Sequence, residues 1–338
     1  MRTMATPSLI EDLKKLSLIH KNKAERLLRA SFAYKRLRKD NIPEMLNELE
    51  NCNTCPHKCG INRRKKVGRC KATDKVKIAL YSLHKFEEPC ISGKDGSGTV
   101  FFSNCNLNCI FCQNYEISQN GRGKEITINE LADIFLKQQE NHANNINLVS
   151  PTIYIYQIIE AIKIARKKGL NIPIIYNSNG YEDIETIKKL EGYIDVYLPD
   201  LKYYYNELGI KYSKVNNYFE IATKAIKEMY RQVGTPSFDK NGIIKRGVII
   251  RHLVLPNHIE NSKRVLNWIK SNLGNKVNVS VMAQYFPTYN AMESDLNRKL
   301  TKEEYDDIEK YLYKLNLENG YIQELGEHEE EYVPKWEF

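Results

Sequence analysis

The chain has 338 residues, 42% of them hydrophobic, and a mean hydropathy of −0.54. Those values describe a globular protein with a large core, and no run of 18 apolar residues or secretory signal stands in it, so a cytoplasmic protein without a membrane span is expected. The net charge of +9 is uneven: residues 1–77 carry 20 Lys/Arg against 8 Asp/Glu, a net +12, which leaves −3 for the remainder.

In chain order, residues 8–50 read as helical and basic. Residues 51–98 form a segment bearing Gly and Cys with little periodicity. From Thr99 onward, β-branched and aromatic runs alternate with helical patterns, the signature of βα units around a parallel sheet. Six strands are predicted at Thr99–Ser103, Ile146–Val149, Ile172–Tyr176, Asp195–Leu198, Val248–Leu255 and Val277–Met282. Helices are predicted between and after them. The first is announced by Thr127 with Glu130 three residues on, a capping box, and the others cover Tyr154–Lys168, Ile184–Leu190, Asn217–Gln232, Asn261–Asn272 and Lys302–Lys314. Six such units make an α/β fold, a partial (βα)6 TIM-like barrel with an N-terminal helical and Cys-rich extension. An open arc of this kind leaves a cleft at the carboxyl ends of its strands. The domain reading is 1–50 helical, 51–98 metal-binding, 99–290 partial barrel, and 291–338 a C-terminal helix with an acidic tail.

Eight cysteines in a reducing compartment favour metal thiolates over disulfides when their spacing is tight, and seven of the eight fall into two clusters. Directly after the first strand the chain reads CNLNCIFC, placing Cys105, Cys109 and Cys112 on one loop. Three thiolates occupy three irons of a 4Fe-4S cube and leave the fourth iron open to a small molecule. An isolated triplet could equally bind zinc or pack in a core. Its place after the first strand of a βα series, with Phe111 just before the last Cys, favours the cluster.

These residues resemble the radical SAM superfamily. The phrases CNLNCIFCQN, IYNSNGYEDIE, DVYLPDLKY and VIIRHLVLPNH, all at strand ends, are similar to the branch of pyruvate formate-lyase activating enzymes over about residues 99–290. The resemblance implies S-adenosylmethionine (SAM) bound to the open iron and cleaved by one electron to a 5′-deoxyadenosyl radical that takes hydrogen from a substrate. It also implies SAM contacts from Phe111, Thr152, Asn177, Asn179, Asp200, Lys202 and Arg251. Ser150-Pro151-Thr152 stands where the family carries Gly-Gly-Glu, and Asn177–Asn179 where it carries an acidic group. For Asp200, Lys202 and Arg251 a structural ion cluster at the barrel rim is the competing reading, and His252 is expected to pack outward.

Upstream, Cys52, Cys55, Cys59 and Cys70 make a complete ligand set within 19 residues, with Gly60 and Gly68 allowing tight turns. Zinc would staple the segment, whereas a second 4Fe-4S cluster could relay electrons to the first. Cys90 reads as a small buried hydrophobe, and His84 as structural. The resemblance implies a protein substrate, with glycyl-radical activation the leading case, and an electron donor such as a ferredoxin or flavodoxin. Modification of RNA or a small metabolite is the alternative enzyme reading, with no RNA-binding fold to support nucleic acid. An iron–sulfur carrier or binding module is the non-enzyme one.

Overall fold

A computed structural model of the protein describes residues 42–317, 319–326 and 336. The predicted helical region 8–50 lies mostly outside the described residues, as does most of the acidic tail. The chain divides into two units, Met1–Met45 and Leu46–Phe338, and the sheet and both cysteine groups belong to the second.

The centre of that unit is one sheet, and all six predicted strands are in it, side by side and parallel: β2 (Ser97–Phe102), β4 (Ile146–Val149), β5 (Ile174–Ser178), β6 (Val196–Pro199), β8 (Ile244–Leu253) and β9 (Asn278–Met282). Every residue of β2, β5 and β6 is buried, as expected of parallel strands covered on both faces. The helices α1 (Ile128–Glu140), α2 (Ile155–Lys167), α3 (Ile184–Lys188), α4 (Asn206–Ser213), α5 (Tyr218–Val233), α6 (Ile259–Leu273) and α7 (Lys302–Lys314) follow the strands. The predicted capping box is present: the Thr127 hydroxyl accepts from Glu130 N at 3.2 Å, and the Glu130 carboxylate accepts from Thr127 N at 2.7 Å.

The sheet is wider than six strands. β1 (Val76–His84) pairs antiparallel with β2 and with the short β3 (Lys124–Ile126) on one side, and β10 (Gly320–Ile322) adds a parallel strand beside β9 on the other. The two-residue β7 (Ser237–Phe238) pairs with β8. The segment 51–98, which has little periodicity in sequence, thus contributes the nine-residue strand β1 that ends on His84. In VKIALYSLH both faces of the strand are partly covered, so the alternation that marks a strand is blurred. α4 also went unpredicted, having a mixed sequence that includes Gly209 and ends on Lys214 in the left-handed region.

Strand carboxyl ends meet at the rim through close backbone approaches. Gly180, at φ +79°, sits where a Cβ would collide with the carbonyl oxygen of Asp200, so only glycine lets the β5 end pass the β6 end here. The same two elements are tied by Tyr218, whose hydroxyl donates to Asn179 O at 2.8 Å and to Asp200 O at 3.0 Å.

Candidate active site

A cavity of about 520 Å³ opens at these carboxyl ends. Cys109, Phe111, Cys112, Asn177, Asp200, Lys202 and Arg251 line it, so the topology brings together residues from the ends of β2, β5, β6 and β8.

The three cysteines follow β2 directly. Asn104 takes a left-handed conformation, φ +67°, and turns the chain out of the strand. All three thiols are free, and each sulfur already has a polar neighbour. Cys105 Sγ accepts from Leu107 N and Asn179 Nδ2, both at 3.4 Å. Cys109 Sγ shares a hydrogen bond with Ser213 Oγ at 3.0 Å, and Cys112 Sγ one with Ser118 Oγ at 3.1 Å. Burial pushes the Cys105 thiol up to about 12 and that of Cys109 to about 11. Such thiols ionise when a metal replaces the proton, and the surrounding donors then point at thiolate sulfur. One buried and two half-buried thiols, a polar partner at each and a cavity beside two of them fit a 4Fe-4S cluster with one open corner.

Beside the thiols is a buried ion cluster. Asp200 accepts from Lys202 Nζ at 2.6 Å and from Arg251 Nε at 3.0 Å, and Arg251 Nη2 donates to Asn177 Oδ1 at 2.6 Å. Burial works to raise the Asp200 carboxyl, but the Lys202 and Arg251 charges outweigh it and hold the group below its ordinary value. Burial likewise works against the Lys202 ammonium, and the Asp200 carboxylate and Cys109 sulfur reverse it. Lys202 thus feels both the Asp200 carboxylate and the Cys109 sulfur. Arg251 also reaches toward Glu87, 3.8 Å away.

Two of the expected SAM contacts do not line the cavity. The Thr152 hydroxyl is buried and donates to Glu182 Oε1 at 2.7 Å. Asn179 acts from behind, its amide bonding Cys105 Sγ and Asn106 Oδ1. His252 is packed on the far face between Leu201 O and Ser262 Oγ, and burial lowers it to about 4. Cys90 is a core residue, 4% exposed, among Ile91, Ile175, Val196, Leu198, Ile244 and Ile249.

Sequence reasoning missed one wall of the cavity. His84, Glu87 and Glu88 come from the end of β1 and the turn after it, while Gln284, Gln323 and Glu324 follow β9 and β10. Glu88 keeps a buried carboxylate oxygen, Oε2, without a hydrogen-bond partner. Burial, with Glu88 alongside, pushes the Glu87 carboxyl up to about 7. The acid pair in EEPC was the available signal, visible only as the flank of Cys90. Ser213, 104 residues from the sulfur it serves, left none.

The four upstream cysteines are free thiols within 51–75, a stretch with neither helix nor strand. Cys52 and Cys55 are buried, Cys70 is half-buried and Cys59 is exposed. Among the described residues, no three His, Cys, Asp or Glu side chains converge as they would on a single metal ion. None of the described helices is long and apolar enough to cross a membrane.

The sequence pattern of the Radical SAM superfamily matches residues 99–269. The "Uncharacterized protein MJ0674" of Methanocaldococcus jannaschii is 37% identical over 286 residues, covering 80% of this chain and 77% of that one. The pyruvate formate-lyase-activating enzyme of Clostridium pasteurianum is 26% identical over 256 residues, 70% of this chain and 99% of that enzyme. Among solved structures, the FeFe-hydrogenase maturase HydG of Carboxydothermus hydrogenoformans aligns at 15% identity with a TM-score of 0.46, covering 68% of this chain and 54% of that one. SuiB of Streptococcus suis, bound to its precursor peptide SuiA, aligns at 15% identity with a TM-score of 0.45, covering 65% and 47%. This chain therefore spans about half the length of those solved chains.

Proposed function

This chain belongs to the radical SAM superfamily, and on that premise we propose that it takes a hydrogen atom from a partner protein, as a glycyl-radical activating enzyme does. A 4Fe-4S cluster held by Cys105, Cys109 and Cys112 would supply the one electron that cleaves SAM, and the resulting 5′-deoxyadenosyl group would accept the hydrogen atom.

The chain's own residues hold, orient and exclude. Cys105, Cys109 and Cys112 are the cluster ligands, and their serine and amide neighbours stabilise the thiolate charge. Lys202 is the cation available to the carboxylate of SAM. Asp200 and Asn177 offer acceptors to ribose hydroxyls, and Phe111 offers an aromatic face to adenine. Arg251 holds Asp200 and Asn177 in place, which makes it a positioning residue as much as a contact. An electron donor of the ferredoxin or flavodoxin type completes the reading.

The observation that carries a protein substrate is the makeup of the missed wall. Gln284 and Gln323 are bonded to each other, while Glu88 and Glu324 turn carboxylates to the cavity, Glu88 Oε2 buried without a hydrogen-bond partner, and Lys85 is the wall's one Lys or Arg. An unpaired carboxylate oxygen accepts from a peptide N–H and disfavours the phosphates of RNA. The relationship to a pyruvate formate-lyase-activating enzyme supports the same reading.

The test follows an isotope. Proteins from cells grown on glycine deuterated at Cα are incubated anaerobically with the reconstituted enzyme, SAM and dithionite, and deuterium is sought in 5′-deoxyadenosine. Transfer from protein, absent in the C105A/C109A/C112A variant, is the expected result. Transfer from deuterated RNA or metabolites instead would replace the protein reading.

A further inference from the structure

The upstream cysteines are unexplained by SAM cleavage. We propose that Cys52, Cys55, Cys59 and Cys70 hold a second iron–sulfur cluster, and that this segment is the port through which an acidic one-electron carrier reduces the enzyme. The role of the port rests on the radical SAM reading above, but the metal site does not.

The thiols are gathered by the backbone. Cys52 N donates to Ile61 O at 2.9 Å, Gly60 N to Cys52 O at 3.0 Å and Lys58 N to Cys55 O at 3.0 Å, so Cys52, Cys55 and Cys59 ride on consecutive tight turns. Lys58 and Gly60 both lie in the left-handed region, at φ +41° and +62°. Cys59 Sγ lies against Gly68, two residues from Cys70, where a Cβ would come within 3.1 Å of the sulfur. Over 51–75 no strand or helix holds the chain, and long structureless stretches inside a compact unit call for some other staple.

Zinc has no redox chemistry, whereas an iron–sulfur cluster in this segment would carry an electron toward Cys105.

The segment's placement suggests a relay. His57, two residues from Cys55, bonds through Nε2 to Asn106 O at 2.8 Å, and Asn106 is the neighbour of Cys105. A carbonyl only accepts, so Nε2 carries the proton. From Cys55 to Cys105 the path is covalent except for that one hydrogen bond. Asn106 Nδ2 also donates to Tyr181 O at 2.7 Å, and the Tyr181 ring lies 5.5 Å from that of His57. The exposed Cys59 is followed in the chain by the exposed Arg64, Lys65, Lys66 and Arg69; Arg64 pairs with Glu50 and Arg69 bonds Lys214 O, which leaves Lys65 and Lys66 as the charges offered to an acidic carrier. One electron leaves the reduced carrier, passes to the upstream cluster and then to the cluster at Cys105–Cys112. No atom or proton is transferred, and the carrier ends oxidised by one electron.

The full chain is reconstituted anaerobically with iron and sulfide in the presence of zinc, as wild type and as the C105A/C109A/C112A variant. The variant is expected to keep about four iron atoms with the spectrum of a reducible cluster, and to lose them when Cys52→Ala and Cys70→Ala are added. Zinc in their place, or no metal, overturns the proposal. The relay is read in the wild type as the rate of 5′-deoxyadenosine formation with a purified reduced flavodoxin, divided by the rate with dithionite. That ratio should fall several-fold at high salt and in the Lys65→Glu, Lys66→Glu double variant, and a ratio that stays constant overturns the port. If the wild type forms no 5′-deoxyadenosine with either reductant, the radical SAM reading fails, while the iron count still decides the metal site.

Discussion

The two cysteine groups of this chain are held in opposite ways. Cys105, Cys109 and Cys112 sit at the end of a strand in the middle of the sheet, each sulfur bonded to a serine or amide that the fold has already fixed. Cys52, Cys55, Cys59 and Cys70 sit in a stretch without regular structure, held by tight turns and by side-chain bonds from His57, Arg63 and Lys71 to the rest of the unit rather than by a strand or helix. In the first case regular structure fixes the cysteines, whereas in the second loops do, and a metal bound there would add to what holds them. Metal should therefore be a matter of activity at one place and of folding at the other.

The largest effect that contrast predicts is on chemistry alone. The C105A/C109A/C112A variant should form no detectable 5′-deoxyadenosine from SAM and dithionite while its thermal midpoint stays within a few degrees of wild type. A barrel that melts with this substitution would erase the distinction. Next in size, stripping metal from the wild type with a chelator should raise hydrogen exchange across 51–75 by about tenfold or more, leaving the amides of β4, β5 and β6 protected. Equal loss of protection in both regions would mean that the barrel, too, depends on metal.

The charged rim sharpens the contrast from the barrel side. Asp200→Asn leaves Lys202 and Arg251 buried without their carboxylate, and urea unfolding should register a loss of about 3–5 kcal/mol. A change below about 1 kcal/mol would show that water or a neighbour such as Glu87 compensates.

Acidity gives a smaller handle. Burial raises both Glu87 and Glu182 to about 7, from an ordinary carboxyl value of 4.5, so the fold favours their protonated forms. The stabilisation is complete below the ordinary value and is lost as pH rises through 7. Stability should decline between pH 5.5 and pH 8, by at most about 3 kcal/mol per group, and Glu182→Gln should flatten its share of the slope. A profile that rises over this range would contradict it. The smallest effect is expected from Ser213→Ala, which removes one donor from Cys109 sulfur. It should cost about 1 kcal/mol and make the cluster harder to reduce, seen as a more negative midpoint in a redox titration.

The barrel was legible because parallel strands buried on both faces write themselves as short apolar runs, and INLV and DVYL are hard to read otherwise. The three-cysteine loop was legible because its chemistry is local in sequence. What stayed hidden is what forms only across distance. Ser213 reaches Cys109 through a helix whose own sequence was too mixed to announce itself. Thr152 sits at the expected strand end, but its hydroxyl is taken up by Glu182, thirty residues away, a pairing no spacing encodes. The wall made by Glu87, Glu88 and Gln323 comes from β1 and β10, one strand blurred by partial burial on both faces and one of three residues.

The late position of β10 in the chain matters during synthesis. It pairs with β9, and Tyr321, Gln323 and Glu324 beside it close one side of the cavity. A nascent chain can therefore assemble its cysteine loop and ion cluster from β2 to β8 well before the substrate wall exists, and until residue 324 is free the β9 edge stands open to other strands. A truncation just before Asn319 would yield a chain with its three-cysteine loop intact and one side of its cavity unfinished, prone to association through that edge.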